Sequence, residues 1–359
     1  MKRLFLLLTV AAFVLLVAVP AWAKEPAQPE LSLNEAIAQA LKNSEAIKKA
    51  DKEVDRTDAL RDQELKDLGY IPTAAAGEAA GETAFASLLS ANLTWEMSEK
   101  SLTAAQDSLV LNACNKYWGI QQAIGAVEVA KQSLKQAELD LKKARVSLHV
   151  GLISTDALLG AETKQVGAKS ALDKAQNDLE TSYTAFNQLV GLWPEDKPVL
   201  TDELGFTPMS DATNLDHLVA KVLESSPSVW LADKKVEQQK TLQDLLFYTG
   251  SYQPYEVRKI TMDQVKLDAV SAKEATEILT RNMYYTVRTL EANYPAAEQA
   301  VKLAEENLRV VQLKFQVGLV TQADMAASET ALAQARQSLL ELKKNHAYYA
   351  LAIEKPWAA

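Results

Sequence analysis

Two long stretches of the chain place apolar residues at alternating intervals of three and four positions, with polar and charged residues between them. In the first stretch the two apolar positions of the heptad are Ile120, Val127, Leu134, Leu141 and Leu148, and Ala123, Ala130, Ala137 and Ala144. In the second they are Val287, Tyr294, Val301, Leu308 and Phe315, and Leu290, Ala297, Ala304 and Val311. A period of 3.5 residues over four heptads predicts long α-helices wound as a left-handed coiled coil. The fold class that follows is mainly α, with long antiparallel coiled-coil helices.

The chain contains an internal duplication. Residues 147–172 match residues 314–339 without gaps at an offset of 167, and residues 33–52 match 215–234 at an offset of 182. Each half is expected to contain an amphipathic helix, an interlude, a long helix, a tight turn and a long return helix. The first half covers about 31–192, a linker about 193–210, and the second half about 211–359. The two offsets differ by 15, so the first half holds about 15 extra residues between Val54 and Tyr117.

The tight turns repeat the sequence Val-Gly-Leu. Val150, Gly151 and Leu152 interrupt the first heptad pattern, and the equivalent residues Val317, Gly318 and Leu319 interrupt the second. A helix that stops and reverses often ends on a residue with positive φ, which glycine adopts without steric strain. We therefore expect positive φ at both glycines.

Composition excludes several classes of function. One cysteine leaves no internal disulfide or multi-cysteine metal site, and three widely spaced histidines disfavour a zinc centre or a histidine relay. The formal charge of −9 argues against nucleic-acid binding, which requires a basic surface. The chain carries no phosphate-binding glycine loop, Gly-x-Ser-x-Gly or His-Glu-x-x-His motif. We expect no enzyme activity and no cofactor.

Residues 1–23 have the pattern of a secretory signal peptide. Lys2 and Arg3 precede an apolar run from Leu4 to Val19, and Ala21-Trp22-Ala23 is a small-x-small cleavage sequence. An uncleaved single-span anchor is the alternative. The remaining chain, residues 24–359, is expected to be exported.

In this order, the repeated elements resemble the TolC-like outer-membrane efflux family, the outer membrane factors. The matching segments are Leu31 to Ile37, Val150 to Ser154 with Ala161-Glu162, Asn187 to Leu192, and Val317 to Leu319. The resemblance covers nearly all of residues 24–359. It implies a homotrimer that forms a helical tube in the periplasm and joins paired strands into a shared barrel in the outer membrane. The implied partners are a periplasmic adaptor protein and, indirectly, an inner-membrane pump.

The resemblance also assigns roles to individual residues. It implies that Val150, Gly151, Leu152, Val317, Gly318 and Leu319 form a tip that contacts the adaptor. A plain connection between two helices, without a binding role, is the alternative for these residues. In the family an acidic residue six positions after the turn glycine often lines the aperture, and Asp324 has this spacing. Asp156 lies five positions after its glycine, with Ala157 in the expected place. A solvated surface role for Asp156 is the alternative.

The barrel strands are where the sequence departs from the family. Residues 89–97 alternate and could form one strand, but their partner would be the small-residue segment 70–80. Residues 248–260 leave too little room for two strands and a turn. We expect shortened or missing barrel strands, with at most a short β-hairpin. Two functions stay open, namely a passive duct in a tripartite export system, or a barrel-less coiled-coil envelope scaffold without channel activity. The protein would lie in the outer membrane and periplasm or, without a barrel, at the exterior of the cell envelope.

Overall fold

The computed structural model of the chain describes residues 26–68, 79–210, 214–244 and 254–359. The predicted signal peptide therefore lies outside the described residues. The helices are α1 (Leu33–Asn43), α2 (Glu45–Asp67), α3 (Ala79–His149), α4 (Thr155–Val190), α5 (Leu215–Ser225), α6 (Pro227–Asp244), α7 (Tyr255–Gln316) and α8 (Gln322–Ala352). A short 3₁₀ turn, Pro356–Ala358, follows α8. The mainly α fold predicted from the heptads is confirmed.

The long helices form two antiparallel hairpins that pack side by side. Helix α3 pairs with α4, and α7 pairs with α8. Helix α8 also packs along α3, so it has a long neighbour on each side. Away from the two Val-Gly-Leu turns, α2 packs on α3 and α6 packs on α7. We call the end of the bundle that carries the two Val-Gly-Leu turns the turn end, and the opposite end the far end.

A buried collar holds the first half together near the middle of α3. Its buried residues are Leu31, Ala36, Ala40, Ala113, Cys114, Tyr117, Trp118, Ile120, Phe186 and Val190. The Tyr117 hydroxyl donates to the carbonyl of Leu31 at 3.0 Å and accepts from the N–H of Asp202 at 3.1 Å. Burying an aromatic ring with its hydroxyl satisfied gains apolar contact without losing a polar partner. The collar therefore ties both the N-terminal segment and the linker to α3.

Two very short strands complete the attachment of the N-terminal segment. β1 (Glu30–Leu31) pairs in parallel with β2 (Val199–Leu200). Nearby, the buried Asp196 side chain accepts from the N–H groups of Ala27 at 2.7 Å and Trp193 at 3.0 Å. Parallel pairing joins segments that are distant in sequence, unlike the hairpin that the sequence allowed.

A second polar cluster fixes the end of the linker to the second half. The Glu291 carboxylate accepts from the N–H of Met209 at 2.5 Å and from Arg288 at 3.0 Å, and His346 Nε2 lies 3.3 Å from it. Phe206 stacks on the ring of Tyr294, with centroids 3.7 Å apart. Because both Glu291 and His346 are largely buried, this contact places the linker in a defined position.

The strand expected over residues 89–97 is wrong, because these residues lie inside α3. The exposed positions around them are Thr83, Ser87, Ser90, Thr94 and Met97, which recur every three or four residues as on a helix. Of the suggested partner segment 70–80, residues 79 and 80 also belong to α3, and the others lie outside the described residues. Helical packing against α2 and α6 overrides the local alternation.

In the second half, residues 255–260 of the segment discussed as a site for strands are helical, since α7 begins at Tyr255 and continues through Pro295 without interruption. Residues 245–253 lie outside the described residues. The first half has the longer helices. α2 and α3 have 23 and 71 residues, against 18 and 62 in α6 and α7. Most of the 15 extra residues of the first half therefore extend helices.

Candidate partner-binding tip

The two Val-Gly-Leu turns have nearly the same backbone geometry. Gly151 has φ 75° and Gly318 has φ 76°, as the sequence predicts. In each turn the glycine N–H donates to the carbonyl three residues earlier, and the following leucine N–H donates five residues back. These bonds measure 2.9 and 2.8 Å in the first turn and 3.0 and 2.8 Å in the second. Glycine in the left-handed conformation therefore satisfies the last carbonyls of α3 and α7.

The apolar side chains of both turns point into solvent. Val150 and Leu152 are 62% and 77% exposed, and Val317 and Leu319 are 70% and 75% exposed. A Cβ added to either glycine would meet no atom within 4 Å. We call Val150, Gly151, Leu152, Val317, Gly318 and Leu319 the tip. Large apolar side chains that are exposed together in a contiguous patch are typical of a surface that binds another protein.

Cross-contacts between the hairpins place both turns at the same end. Lys135 Nζ on α3 lies 2.5 Å from a carboxylate oxygen of Glu329 on α8. Farther from the turns, Lys344 Nζ donates to the side-chain oxygen of Gln122 at 2.9 Å. Residues later in α8 therefore contact residues earlier in α3, so the two helices are antiparallel. The structure brings the two halves of the tip to one end of the bundle.

Asp324 caps α8. Its carboxylate accepts from the N–H of Thr321 and from the Thr321 hydroxyl, both at 2.8 Å, while the hydroxyl accepts from the N–H of Asp324. This reciprocal capping box satisfies two donors at the start of the helix. The Thr321 backbone bond, followed by the Thr321 hydroxyl bond, lowers the pKa of Asp324, and Lys143 adds a smaller attraction. Asp324 is therefore a charged cap close to the tip.

Asp156 has a different local role. Ser154 caps α4 by accepting from the N–H of Ala157, and Asp156 is exposed in the first turn of the helix. Ala157 occupies the position in α4 that Asp324 occupies in α8, so the first turn of α4 has no capping box. The negative Asp156 carboxylate still interacts favourably with the positive N-terminal end of the α4 dipole. The aperture role of either aspartate concerns an assembly, and it stays a prediction.

Sequence reasoning missed the polar contacts that join the two halves. The ion pair of Lys135 with Glu329 bridges 194 positions, so no local pattern reveals it. The duplication carried an indirect signal, because Lys135 recurs as Lys302 and Glu329 recurs as Glu162 at the same offset of 167.

Across the described ranges, no three His, Cys, Asp and Glu side chains are grouped as a metal site would require. None of the helices in these ranges has an apolar stretch long enough to cross a bilayer.

Comparison with known proteins identifies the fold. No protein-family model and no curated protein matches the sequence. Solved structures do match. The Neisseria gonorrhoeae MtrE outer membrane channel in its open state is 17% identical, with a TM-score of 0.63 over 91% of this chain and 89% of that one. The Campylobacter jejuni CmeC outer membrane channel is 14% identical, with a TM-score of 0.62 over 94% and 90%. The Vibrio cholerae outer membrane protein VceC is 17% identical, with a TM-score of 0.59 over 91% and 95%. The chain has a TolC-like fold.

Proposed function

We propose that this protein is the outer-membrane-factor-like component of a tripartite export system in the cell envelope. Three copies form a passive helical duct, a periplasmic adaptor binds the tip, and an inner-membrane pump acts through the adaptor. The duct has no catalytic step and needs no cofactor. The exposed apolar tip carries the proposal, because Val150, Leu152, Val317 and Leu319 have no neighbour that covers them in one copy.

The TolC-like fold supports this function, since two of the similar structures are described as outer membrane channels. The geometry of the tip adds a reason specific to this chain. Two nearly identical turns, each offering a valine and a leucine to solvent, suit a partner that presents apolar side chains to both. Such a surface contributes little to the stability of the bundle itself, so a binding role explains why large apolar residues stand there.

A coiled-coil envelope scaffold without channel activity is the second candidate. The observation that favours it is the helical conformation of residues 79–97, in a segment where the resemblance implies strands. The two functions share the fold and the tip, and they differ in whether the assembly conducts.

Electrical recording on the purified mature chain separates the two candidates. In a planar lipid bilayer, the duct should give stable trimers with large, steady single-channel currents. A protein that associates but never conducts would establish the scaffold and refute the duct. The oligomeric state should be measured on the same sample by light scattering, so that absence of current in a monomeric preparation is recognised.

Variants of the tip test the adaptor site. Leu152→Asn combined with Leu319→Asn should reduce co-purification with co-expressed candidate adaptors from the same genome by at least tenfold, because both apolar contacts are replaced. Leu65→Asn is the matched control, since Leu65 is 55% exposed and lies near the far end. Gly151→Val and Gly318→Val should likewise reduce adaptor binding while leaving helix content unchanged. Unchanged adaptor recovery with all tip variants would refute the assignment of the tip.

A further inference from the structure

The linker crosses one side of the long helices. On α3, the Tyr117 hydroxyl accepts from the N–H of Asp202 at 3.1 Å, and the Gln121 side chain donates to the carbonyl of Asp202 at 2.6 Å. On α7, Arg288 and Glu291 hold the end of the linker. Between the collar and the turn end we call this side of the bundle the linker face, and the side half a helical turn away from it the open face.

The linker face of α3 and α7 is rich in charge. Its positions continue toward the turn end as Glu128, Lys131, Lys135 and Glu138 on α3, and as Glu298, Lys302, Glu305 and Arg309 on α7. Their spacing of three and four residues keeps them on one side of each helix. The linker face therefore has the composition of a solvated helix surface.

The open face of the same helices carries no charge over a long run. On α3 its positions are Gly119, Gln122, Ala126, Val129, Ser133 and Gln136, and on α7 they are Thr286, Thr289, Asn293, Ala296, Ala300 and Leu303. On α8 they are Ala327, Ala331, Gln334 and Ser338. Because 24% of the residues in the chain are charged, the lack of charge at these positions is a property of the face and not of the composition.

The open face is in contact with solvent in one copy. Asn293 and Ala300 on α7 are exposed, as is Ala331 on α8. Val129 and Leu303 are the large apolar residues among the positions above, and they do not form the contiguous apolar patch of a protein-binding surface. A face of small and neutral polar side chains suits contact with water and with dissolved molecules.

Charged residues at the edges of the open face occur with both signs. On α4, Lys174 pairs with Asp178 at 2.5 Å. On α8, Glu341 accepts from Gln337 at 3.1 Å and attracts the nearby Lys344. Closer to the turn end the charged residues are Asp140, Lys143, Lys164, Lys314 and Asp324, of which Lys143 attracts Asp324. Neither sign predominates along the face.

We infer that the open face lines the interior of the duct, and that the duct consequently carries anionic and uncharged solutes as readily as cationic ones. The inference rests on the proposed trimeric duct and adds the class of solute to it. If the linker face were turned inward, the linkers and collars of three copies would fill the interior at mid-height. The open face is therefore the inner one.

The chemistry of the lining explains the expected lack of selectivity. A passage lined by charge of one sign raises the rate of entry of counter-ions by about tenfold or more. Rings of carboxylates select cations in this way, and rings of lysine or arginine select anions. The open face offers amides and hydroxyls instead, for example those of Asn293 and Ser133, and each of these groups both donates and accepts hydrogen bonds. Such a lining favours neither sign.

The reversal potential of single channels tests the inference. Purified mature chain is recorded in a planar bilayer across a tenfold gradient, from about 10 to about 100 mM KCl, where the Debye length is about 10 Å or longer. A duct selective for one ion would reverse at about 59 mV in magnitude. The original chain should reverse close to zero, with a potassium-to-chloride permeability ratio within about twofold of one.

Variants on the two faces of α7 identify the inner one. Ala300→Glu places three carboxylates in the interior and should raise the potassium-to-chloride ratio at least about threefold, and Ala300→Lys should lower it by a similar factor. Gln312→Glu is the matched control, since Gln312 is also exposed on α7 but continues the linker face after Glu305 and Arg309. It should leave the ratio unchanged. Circular dichroism should show the original helix content in all three variants.

The outcomes separate this inference from the proposed function. An original chain that conducts but prefers one ion by about tenfold would overturn the inference and leave the duct standing. A shift with Gln312→Glu and none with either Ala300 variant would show that the linker face is the inner one, and would overturn it as well. A trimer that never conducts would overturn the duct, and the inference with it.

Discussion

Replacement of Gly191 by alanine should destabilise the protein more than the same change at either tip glycine. Gly191 ends α4 with φ 79°, and its N–H and that of Leu192 both donate to the carbonyl of Asn187. A Cβ at this position would lie 2.4 Å from the side-chain nitrogen of Asn43, which donates to the carbonyl of Val190 at 2.5 Å. Alanine therefore meets two costs, the left-handed backbone and the displacement of Asn43.

The tip provides the reference for the first cost alone. Gly151 and Gly318 have φ within 4° of that of Gly191, and a Cβ on either would meet nothing within 4 Å. Alanine at the tip should cost about 1–2 kcal/mol, from the left-handed conformation. At Gly191 the lost hydrogen bond of Asn43 adds about 1 kcal/mol, for a total of about 2–3 kcal/mol.

The measurement is urea unfolding of the mature chain, followed by far-ultraviolet circular dichroism, for all three alanine variants. A double-mutant cycle with Asn43→Ala removes the closest atoms of the clash. In that background Gly191→Ala should cost little more than Gly151→Ala, because only the Cβ of residue 43, 3.2 Å from the added Cβ, stays close. If Gly191→Ala and Gly151→Ala agree to within about 0.5 kcal/mol in the original background, the close contact with Asn43 has no energetic weight and the reasoning is wrong.

Three further predictions concern caps and buried groups. Asp324→Ala should lower the free energy of unfolding by about 1 kcal/mol, because it removes a capping box. Ala157→Asp should raise it by about the same amount, because it creates one. Urea unfolding that shows equal effects of the same sign for the two variants would contradict this. Burial pushes the pKa of Glu291 up, but its hydrogen bonds outweigh burial and leave the pKa lowered. Its contribution to stability is thus complete above the unfolded pKa of about 4.3 and is lost as pH falls through the folded pKa. Glu291→Gln should flatten the decline in stability between about pH 5 and pH 3, and an unchanged pH profile would refute the role of Glu291. Burial raises the pKa of Cys114 to about 11, so iodoacetamide at pH 8 should label it only after unfolding; rapid labelling of the folded chain would show that the collar opens.

The features that sequence predicted best are those with a long repeating pattern or a specific local requirement. The heptads from Ile120 to Leu148 gave the paired helices, because their pattern is sustained over four repeats. Gly151 and Gly318 gave the turns, since few residues other than glycine reverse a helix in the left-handed conformation. At the start of α1, Ser32 and Glu35 form a capping box with reciprocal bonds, and serine followed three residues later by glutamate is a pattern visible in the sequence.

Sequence reasoning failed where the signal is short or depends on distant residues. Residues 89–97 fit a strand by alternation, but Leu89 and Leu93 also fit a helix, and a nine-residue window cannot separate the two. The spacing of Asp324 from Gly318 indicates an aperture residue, whereas in the structure Asp324, three residues after Thr321, caps α8. The pairing of β1 with β2 joins residues 169 positions apart, so no local pattern could reveal it.

The collar has a mechanical consequence for the tip. Helix α3 is enclosed by other elements around Tyr117 and then runs without a break to His149, a distance of roughly 48 Å at 1.5 Å per residue. Helix α3 can therefore be treated as a stiff rod that pivots at the collar. A tilt of about 5° at the collar, made by α3 together with the α4 and α8 packed along it, moves the Val-Gly-Leu turn by about 4 Å, close to the width of one side chain. Small angular adjustments at mid-height thus become large displacements at the end of the bundle.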